Sequence, residues 1–406
     1  MGETMKIIDG GVVAPKGFKA NGYKEGKYGV AIIISEKEAV GSGVFTTNKV
    51  VAHPVVLSRE LIKNRDKFRA IVANSGNANC FTKDGMENAK EMQRLVAELF
   101  NIKEEEVLVA STGVIGRKMD MDIIRSRINK VYNLMKEGNS SINAAKAIMT
   151  TDTKPKEIAV EFEVDGKTVR VGGIAKGAGM IAPNMLHATM LCFITTDIEI
   201  DKKSLTEVLQ RVVDKTFNNI SVDGDTSTND TVFILANGLS GVYYDKCKEE
   251  FENALLYVCR ELAKMIVKDG EGATKFMEVV VKGAKSEEDA IKASKAIVNS
   301  LLVKTAVFGG DPNWGRIVAA VGYSGADFNP NIVDVILSNY EDEVYLVKKG
   351  IPLADEGSKE LKKAEKIMKS DEIKIVVDLK MGEFENVCYG CDLSYEYVRI
   401  NAEYTT

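Results

Sequence analysis

The chain has 406 residues, 45% hydrophobic and 28% charged, and its 54 Lys and Arg against 59 Asp and Glu leave a formal net charge of −5. Length and apolar share permit a large core and two or three domains. The mild acidic excess argues against nucleic acid or an anionic membrane as an obligatory partner.

Met1-Gly2-Glu3-Thr4-Met5-Lys6 lacks an apolar secretory core and carries Lys6 where a myristoylation signal needs Ser or Thr, so a cytoplasmic protein is expected. Apolar patterning over 30–34 and 43–46 predicts two early strands. A third, over 70–73, enters the small polar loop Asn74-Ser75-Gly76-Asn77-Ala78-Asn79. Met86, Ala89, Met92, Val96 and Leu99 recur at helical spacing, as do Ile124, Ile128, Val131 and Met135. The methionines read as core filler. Between these helices the buried-type strand 107–110 runs into Ser111-Thr112-Gly113-Val114-Ile115-Gly116. There a hydroxyl and a glycine amide suit either an oxyanion hole or an ordinary Ser/Thr turn. Thr150-Thr151-Asp152-Thr153 reads as a helix end, and 160–164 with 168–171 as a hairpin across Asp165-Gly166.

The segment Lys176-Gly177-Ala178-Gly179-Met180-Ile181-Ala182-Pro183-Asn184-Met185-Leu186-His187-Ala188-Thr189-Met190-Leu191 passes from a glycine turn through a proline into an apolar run. Its glycines match neither a P-loop nor G-x-G-x-x-G, so nucleotide binding is weakly supported. Residues 180–196 are too short and too interrupted to span a bilayer, and no membrane partner is expected. A threonine hydroxyl needs a base, and its own α-amine serves if the preceding peptide bond is cut. Such an amine has a pKa of roughly 7.7–8.0, near working pH. A histidine-based triad is poorly supplied, because His53 and His187 are the only histidines. On pattern alone, Thr189 reads first as a β-favouring residue opening a strand.

Beyond Thr189, strands over 191–195, 232–236, 277–281, 333–337 and 373–379 alternate with helices near 203–217, 249–268, 287–303 and 356–369, which places the chain in the α/β (α+β) class. No Pro/Ser-rich linker or internal repeat intervenes, so the halves on either side of Thr189 are expected to fold as one body. Residues 223–230 lack the final acidic residue of an EF-hand loop and read as a polar loop near the site. Asp269-Gly270-Glu271-Gly272-Ala273 is either a surface turn or a ligand for a substrate ammonium, and 311–316 a turn packing the single Trp314. Six scattered cysteines, including Cys388 and Cys391 as a lone CxxC, read as buried thiols of a reducing compartment rather than a zinc site. No metal and no cofactor are expected.

These motifs, with Gly310-Asp311-Pro312-Asn313-Trp314-Gly315-Arg316 and the end from Gly390 to Ala402, resemble in residues and order the ornithine acetyltransferase family over essentially the whole chain. Those enzymes are the glutamate N-acetyltransferases of the cyclic arginine pathway. The resemblance implies self-cleavage between Ala188 and Thr189 into an α chain, 1–188, and a β chain, 189–406. The two would form one interdigitated catalytic unit, a layered helix–sheet–sheet–helix sandwich assembled from both products. It implies ping-pong transfer of acetyl from N2-acetyl-L-ornithine to L-glutamate through acetyl-Thr189, and a heterotetramer of two α and two β chains. Oxyanion donors map to Thr112 and Gly113. Substrate contacts map to Lys176, Thr189, Glu271, Asn401, Thr406 and one of Thr150 and Thr151. Many relatives run from the Asn-Met pair straight to Ala-Thr, whereas here Leu186 and His187 lengthen the loop. No nucleotide motif favours acetyl-CoA as a second donor, so a monofunctional enzyme is expected. The rivals are a self-cleaving amidohydrolase or aminopeptidase with water as acceptor, and a non-catalytic amino-acid-binding protein.

Overall fold

The computed structural model of the chain describes residues 5–182 and 190–404. Two compact units are built from them, one from residues up to 218 with 225–266, the other from 219–224 with 267–404.

In the first unit the elements run β1 (Lys6–Ile8), β2 (Phe18–Glu25), β3 (Tyr28–Phe45), α1 (His53–Asn64), β4 (Lys67–Asn77), α2 (Gly85–Phe100), β5 (Val107–Val114), α3 (Met121–Glu137), α4 (Ser141–Ala147), β6 (Lys156–Val164), β7 (Lys167–Lys176), β8 (Leu191–Thr196) and α5 (Lys202–Lys215). After β9 (Ile220–Ser221), which belongs to the second unit, come β10 (Thr231–Ala236) and α6 (Lys248–Lys268). The sheet order is β1-β6-β7-β8-β10-β3-β4-β5, with β2 paired to β3. Thus β8 and β10, from beyond Thr189, lie between β7 and β3, from before it.

Alternate residues of the central strands feed two cores. Val30, Ile32, Ala70, Val72, Val107 and Val109 pack with Met92 and Val96 of α2 and Ile128 of α3. Ile33, Ile71, Leu108, Phe193 and Phe233 pack in the other. Burial on both faces explains why these strands read as near-continuous apolar runs. The two early strands are one, β3. Exposed Glu36, Lys37 and Glu38 break its apolar pattern, while the ladder to β4 continues through a register shift between Ile34 and Ala39. Asp165 and Gly166, with φ of 50° and 76°, make the β6–β7 turn as the sequence indicates.

The second unit adds β11 (Phe276–Ala284), α7 (Glu287–Asn299), α8 (Leu301–Gly309), α9 (Trp314–Tyr323), β12 (Asp334–Ser338), β13 (Glu343–Lys348), β14 (Ile351–Pro352), α10 (Lys359–Ile367), β15 (Glu372–Asp378), β16 (Phe384–Cys391) and α11 (Tyr395–Glu403). Its sheet order is β14-β13-β12-β15-β11-β16-β9. Val279, Val281, Val335, Ile375 and Val377 pack with Ala293 and Ile297 of α7. The helix expected over 287–303 breaks at Ser300, whose hydroxyl caps the Val303 N–H and starts α8. The turn expected at 311–316 instead opens α9: Asn313 caps it, and Trp314 begins it with Nε1 donating to the Ala354 carbonyl at 3.3 Å. The chain is therefore mixed α/β with two sheets and helices. No helix among the described residues is long and apolar enough to cross a membrane.

Candidate functional site

In the first unit, three strands deliver polar residues to one place. Lys176 ends β7, and its Nζ donates to Thr150 Oγ1 at 2.8 Å and to Thr112 Oγ1 of β5 at 3.2 Å. Asp152, fully buried, stands 3.8 Å from Lys176 Nζ and 2.6 Å from Nζ of the buried Lys156, which opens β6. Its oxygens also accept from the Gly177 N–H at 2.8 Å and the Thr150 N–H at 3.1 Å. Burial alone would raise the Asp152 pKa. The Lys176 and Lys156 ammoniums, the Lys156 hydrogen bond and the Gly177 N–H overcome it and hold the carboxyl at about 2. A third cation, Lys24 of β2, donates to the Met149 carbonyl. Burial and the Lys176 charge lower its pKa, against the pull of Asp152.

Thr112 Oγ1 accepts a hydrogen bond from an ammonium, so its own hydroxyl hydrogen remains available to donate. Gly113 has φ 135°, and a Cβ there would fall 2.3 Å from the Gly76 carbonyl carbon of β4. The close approach that requires glycine is thus made by the neighbouring strand. The motif from Asn74 to Asn79 braces that crossing. Ser111 Oγ donates to Asn74 Oδ1 at 2.5 Å, and Asn74 Nδ2 to the Asn77 carbonyl at 2.9 Å. The polar loop over 223–230 joins the brace through Asn229, whose Nδ2 donates to the Ala78 carbonyl at 2.6 Å and the Ser111 carbonyl at 2.8 Å.

In the second unit, Glu271 and Asn401 meet: Asn401 Nδ2 donates to Glu271 Oε2 at 2.6 Å. The Asp269–Ala273 turn is seated under α11, where a Cβ on Gly272 would lie 2.4 Å from the Tyr397 amide nitrogen. Tyr397 Oη donates to Asp223 Oδ2 at 2.9 Å. All six cysteines are buried and none is in a disulfide. Burial pushes the Cys388 and Cys391 thiols up to about 11, against thiolate chemistry at that pair. No cluster of metal-ligating side chains occurs among the described residues.

Ala188, Thr189 and Thr406 lie outside the described residues. The structure brings Lys176, Thr112 and Thr150 together, places Gly113 beside Thr112, and pairs Glu271 with Asn401. Of the adjacent pair Thr150 and Thr151, Thr150 accepts from Lys176 Nζ. Sequence reasoning missed Asp152 and Lys156 as an ion pair, Lys24, and Asp230, a buried carboxyl just before β10. Asp152 and Lys156, four apart in Asp-Thr-Lys-Pro-Lys, were the available signal for the first two.

The model of the ArgJ family matches residues 16–406. The chain is 92% identical over 402 residues to a Methanocaldococcus jannaschii protein named glutamate N-acetyltransferase, covering 99% of this chain and 100% of that one. It is 64% identical over 408 residues to the protein of that name from Methanococcus maripaludis strain C6, covering 100% of both. It is 49% identical over 415 residues to the arginine biosynthesis bifunctional protein ArgJ of Caldanaerobacter subterraneus subsp. tengcongensis, covering 99% of this chain and 100% of that one.

Proposed function

The chain belongs to the ArgJ family, and we infer from this that it is a glutamate N-acetyltransferase of arginine biosynthesis. The observation that carries the reading is the identity of 92% to a protein of that name along 99% of this chain. The donor is N2-acetyl-L-ornithine and the acceptor L-glutamate.

The chain first cuts itself. Thr189 Oγ attacks the Ala188 carbonyl carbon, the amide becomes an ester, and water hydrolyses it to leave a free α-amine on Thr189. The products, 1–188 and 189–406, stay joined: the hydrogen-bonded neighbours of β8 come from both sides of the cut, and Phe45 meets Phe233 edge-on with ring centroids 5.9 Å apart. In the mature enzyme the amine takes the hydroxyl proton as Oγ attacks acetylornithine. Ornithine leaves with that proton, and the glutamate amine then attacks acetyl-Thr189, giving ping-pong kinetics.

The tetrahedral oxyanion is held by the Thr112 hydroxyl and the Gly113 N–H. The Lys176 ammonium behind Thr112 Oγ1 polarises that O–H and strengthens it as a donor. Thr112→Ala should lower kcat by about 10²–10³-fold, with KM for both substrates little changed; a kcat within twofold of the parent removes Thr112 from this role.

Both substrates carry an α-carboxylate, yet ornithine ends in an ammonium and glutamate in a carboxylate. The buried Lys176 ammonium, held beside Asp152 and the Thr112 and Thr150 hydroxyls, suits the common α-carboxylate. Thr150 is the threonine beside that anchor. Lys176→Met should therefore raise KM for acetylornithine and for glutamate alike; a rise for one alone overturns the assignment. Glu271, with Asn401 and Thr406, serves the variable end, where its carboxylate suits the ornithine ammonium.

We place the enzyme in the cytoplasm, where its buried unpaired cysteines are stable, as a pair of α/β heterodimers. The experiment that tests the function supplies acetylornithine with and without glutamate. N-acetylglutamate formation supports transfer, whereas acetate release independent of glutamate identifies the amidohydrolase instead. Acetyl-CoA as sole donor is expected to give no N-acetylglutamate.

A further inference from the structure

The end of the β2–β3 hairpin lines up with β5. Lys24 of β2 stands opposite Gly29 of β3, Gly29 opposite Ser75 of β4, and Ser75 opposite Thr112 of β5. Residues directly opposed in a sheet point to the same face, so Lys24 and Thr112 share one row and one face. The end of α4 lies over that row, with the Ala147 carbonyl oxygen against Gly29 and accepting from Ser75 Oγ at 2.6 Å.

The chain leaving α4 then meets two ammoniums in succession. Lys24 Nζ donates to the Met149 carbonyl, and Lys176 Nζ donates to Oγ1 of the next residue, Thr150, at 2.8 Å. The same Lys176 Nζ reaches Thr112 Oγ1 at 3.2 Å. Two cations from different strands are thus held on consecutive residues beside the proposed oxyanion donor, where like charges repel. At Lys24, burial and the Lys176 charge outweigh the pull of Asp152 and lower the pKa of the ammonium. An anion placed between the two lysines offsets that repulsion, and each ammonium has three N–H donors to offer it. Lys24 is only half-buried, so a solute can reach it.

We propose that Lys24 is a second anchor for the α-carboxylate common to both substrates, which lies between its ammonium and that of Lys176. The inference rests on the reading of donor and acceptor as α-amino acids. Two ammoniums on the shared carboxylate put binding on the part that ornithine and glutamate have in common, whatever charge their other ends carry.

The test compares full-length parent, K24Q and K24R proteins. Glutamine removes the charge but keeps an N–H for the Met149 carbonyl, and arginine keeps both. The calorimetric probes are L-norvaline, which is ornithine without its end ammonium, and L-norvalinamide, in which the carboxylate is replaced by a neutral amide. K24Q should weaken L-norvaline about tenfold and leave L-norvalinamide nearly unchanged, while K24R stays close to the parent. KM for acetylornithine and for glutamate should rise together by about the same factor, with kcat little changed. An unchanged L-norvaline affinity in K24Q, a KM rise for glutamate alone, or a loss of kcat with both KM values unchanged overturns the proposal. Should K24Q lower the thermal transition, the parent itself decides: L-norvaline should slow the reaction of Lys24 with succinimidyl propionate, read by peptide mass spectrometry, and L-norvalinamide should not. Equal labelling with and without L-norvaline overturns the proposal. A parent in which L-norvaline protects Lys24 but no acetyl is transferred supports the anchor and defeats the proposed function, a result distinct from the others.

Discussion

Thr189→Ala is expected to leave a single chain of 406 residues with no acetyl transfer above background. In the proposed mechanism alanine removes the oxygen that attacks the Ala188 carbonyl, so no ester should form, no amine should be freed and no acetyl-enzyme should arise. Loss of a nucleophile that works as a unit with its base removes about 10⁴-fold or more of the rate. The fold should survive, because β7, β8 and β10 pair without Thr189, and the thermal transition should stay near the parent's. Thr189→Ser keeps both oxygen and amine and should be cut and active. The pair of variants separates chemistry from folding: an uncut serine variant beside an unfolded alanine variant would point to a structural threonine instead.

Asp152→Ala should produce the largest loss of stability. The carboxylate faces two buried lysines, Lys156 and Lys176, and removing one partner of a buried ion pair costs roughly 3–5 kcal/mol. Against a total stability of about 5–15 kcal/mol this is a large fraction, and the thermal midpoint should fall by several degrees. Asp152→Ala with Lys156→Met should recover part of the loss, since it removes one uncompensated ammonium. The pH dependence has a defined sign. The native pKa of about 2 lies below the ordinary aspartate value of 3.8. The unfolded chain therefore binds the proton more readily, and the Asp152 contribution, about 2 kcal/mol, is fully present above pH 4 and disappears as pH falls toward 2. The parent should lose stability across that window, and Asp152→Ala should lose less there.

How much of this was legible in the sequence depended on which physical signal marked each residue. Helices α2 and α3, strand β5 and the β6–β7 hairpin were readable because their apolar spacing or Asp-Gly turn is local. The division of β3 into two strands failed because exposed 36–38 break the pattern while the backbone ladder carries on through a bulge. Helices α7 and α8 read as one because apolar periodicity persists across Ser300, and only its cap marks the break. In the site, Lys176, Thr112 and Thr150 come from β7, β5 and the stretch before β6, and the resemblance singled them out where spacing alone did not. Asp152 and Lys156 escaped because charged residues before a strand are ordinarily solvated, and only the tertiary fold buries them together. Asp230 escaped for the same reason: in a run of Asp, Thr, Ser and Asn, nothing local distinguishes a buried carboxyl from those facing water.

The proposed chemistry depends on a threonine made reactive by peptide scission, and mass spectrometry of the purified, active protein tests it most directly. Two polypeptides are expected, the second beginning Thr-Met-Leu at residue 189. An intact 406-residue chain that transfers acetyl from acetylornithine to glutamate would contradict it.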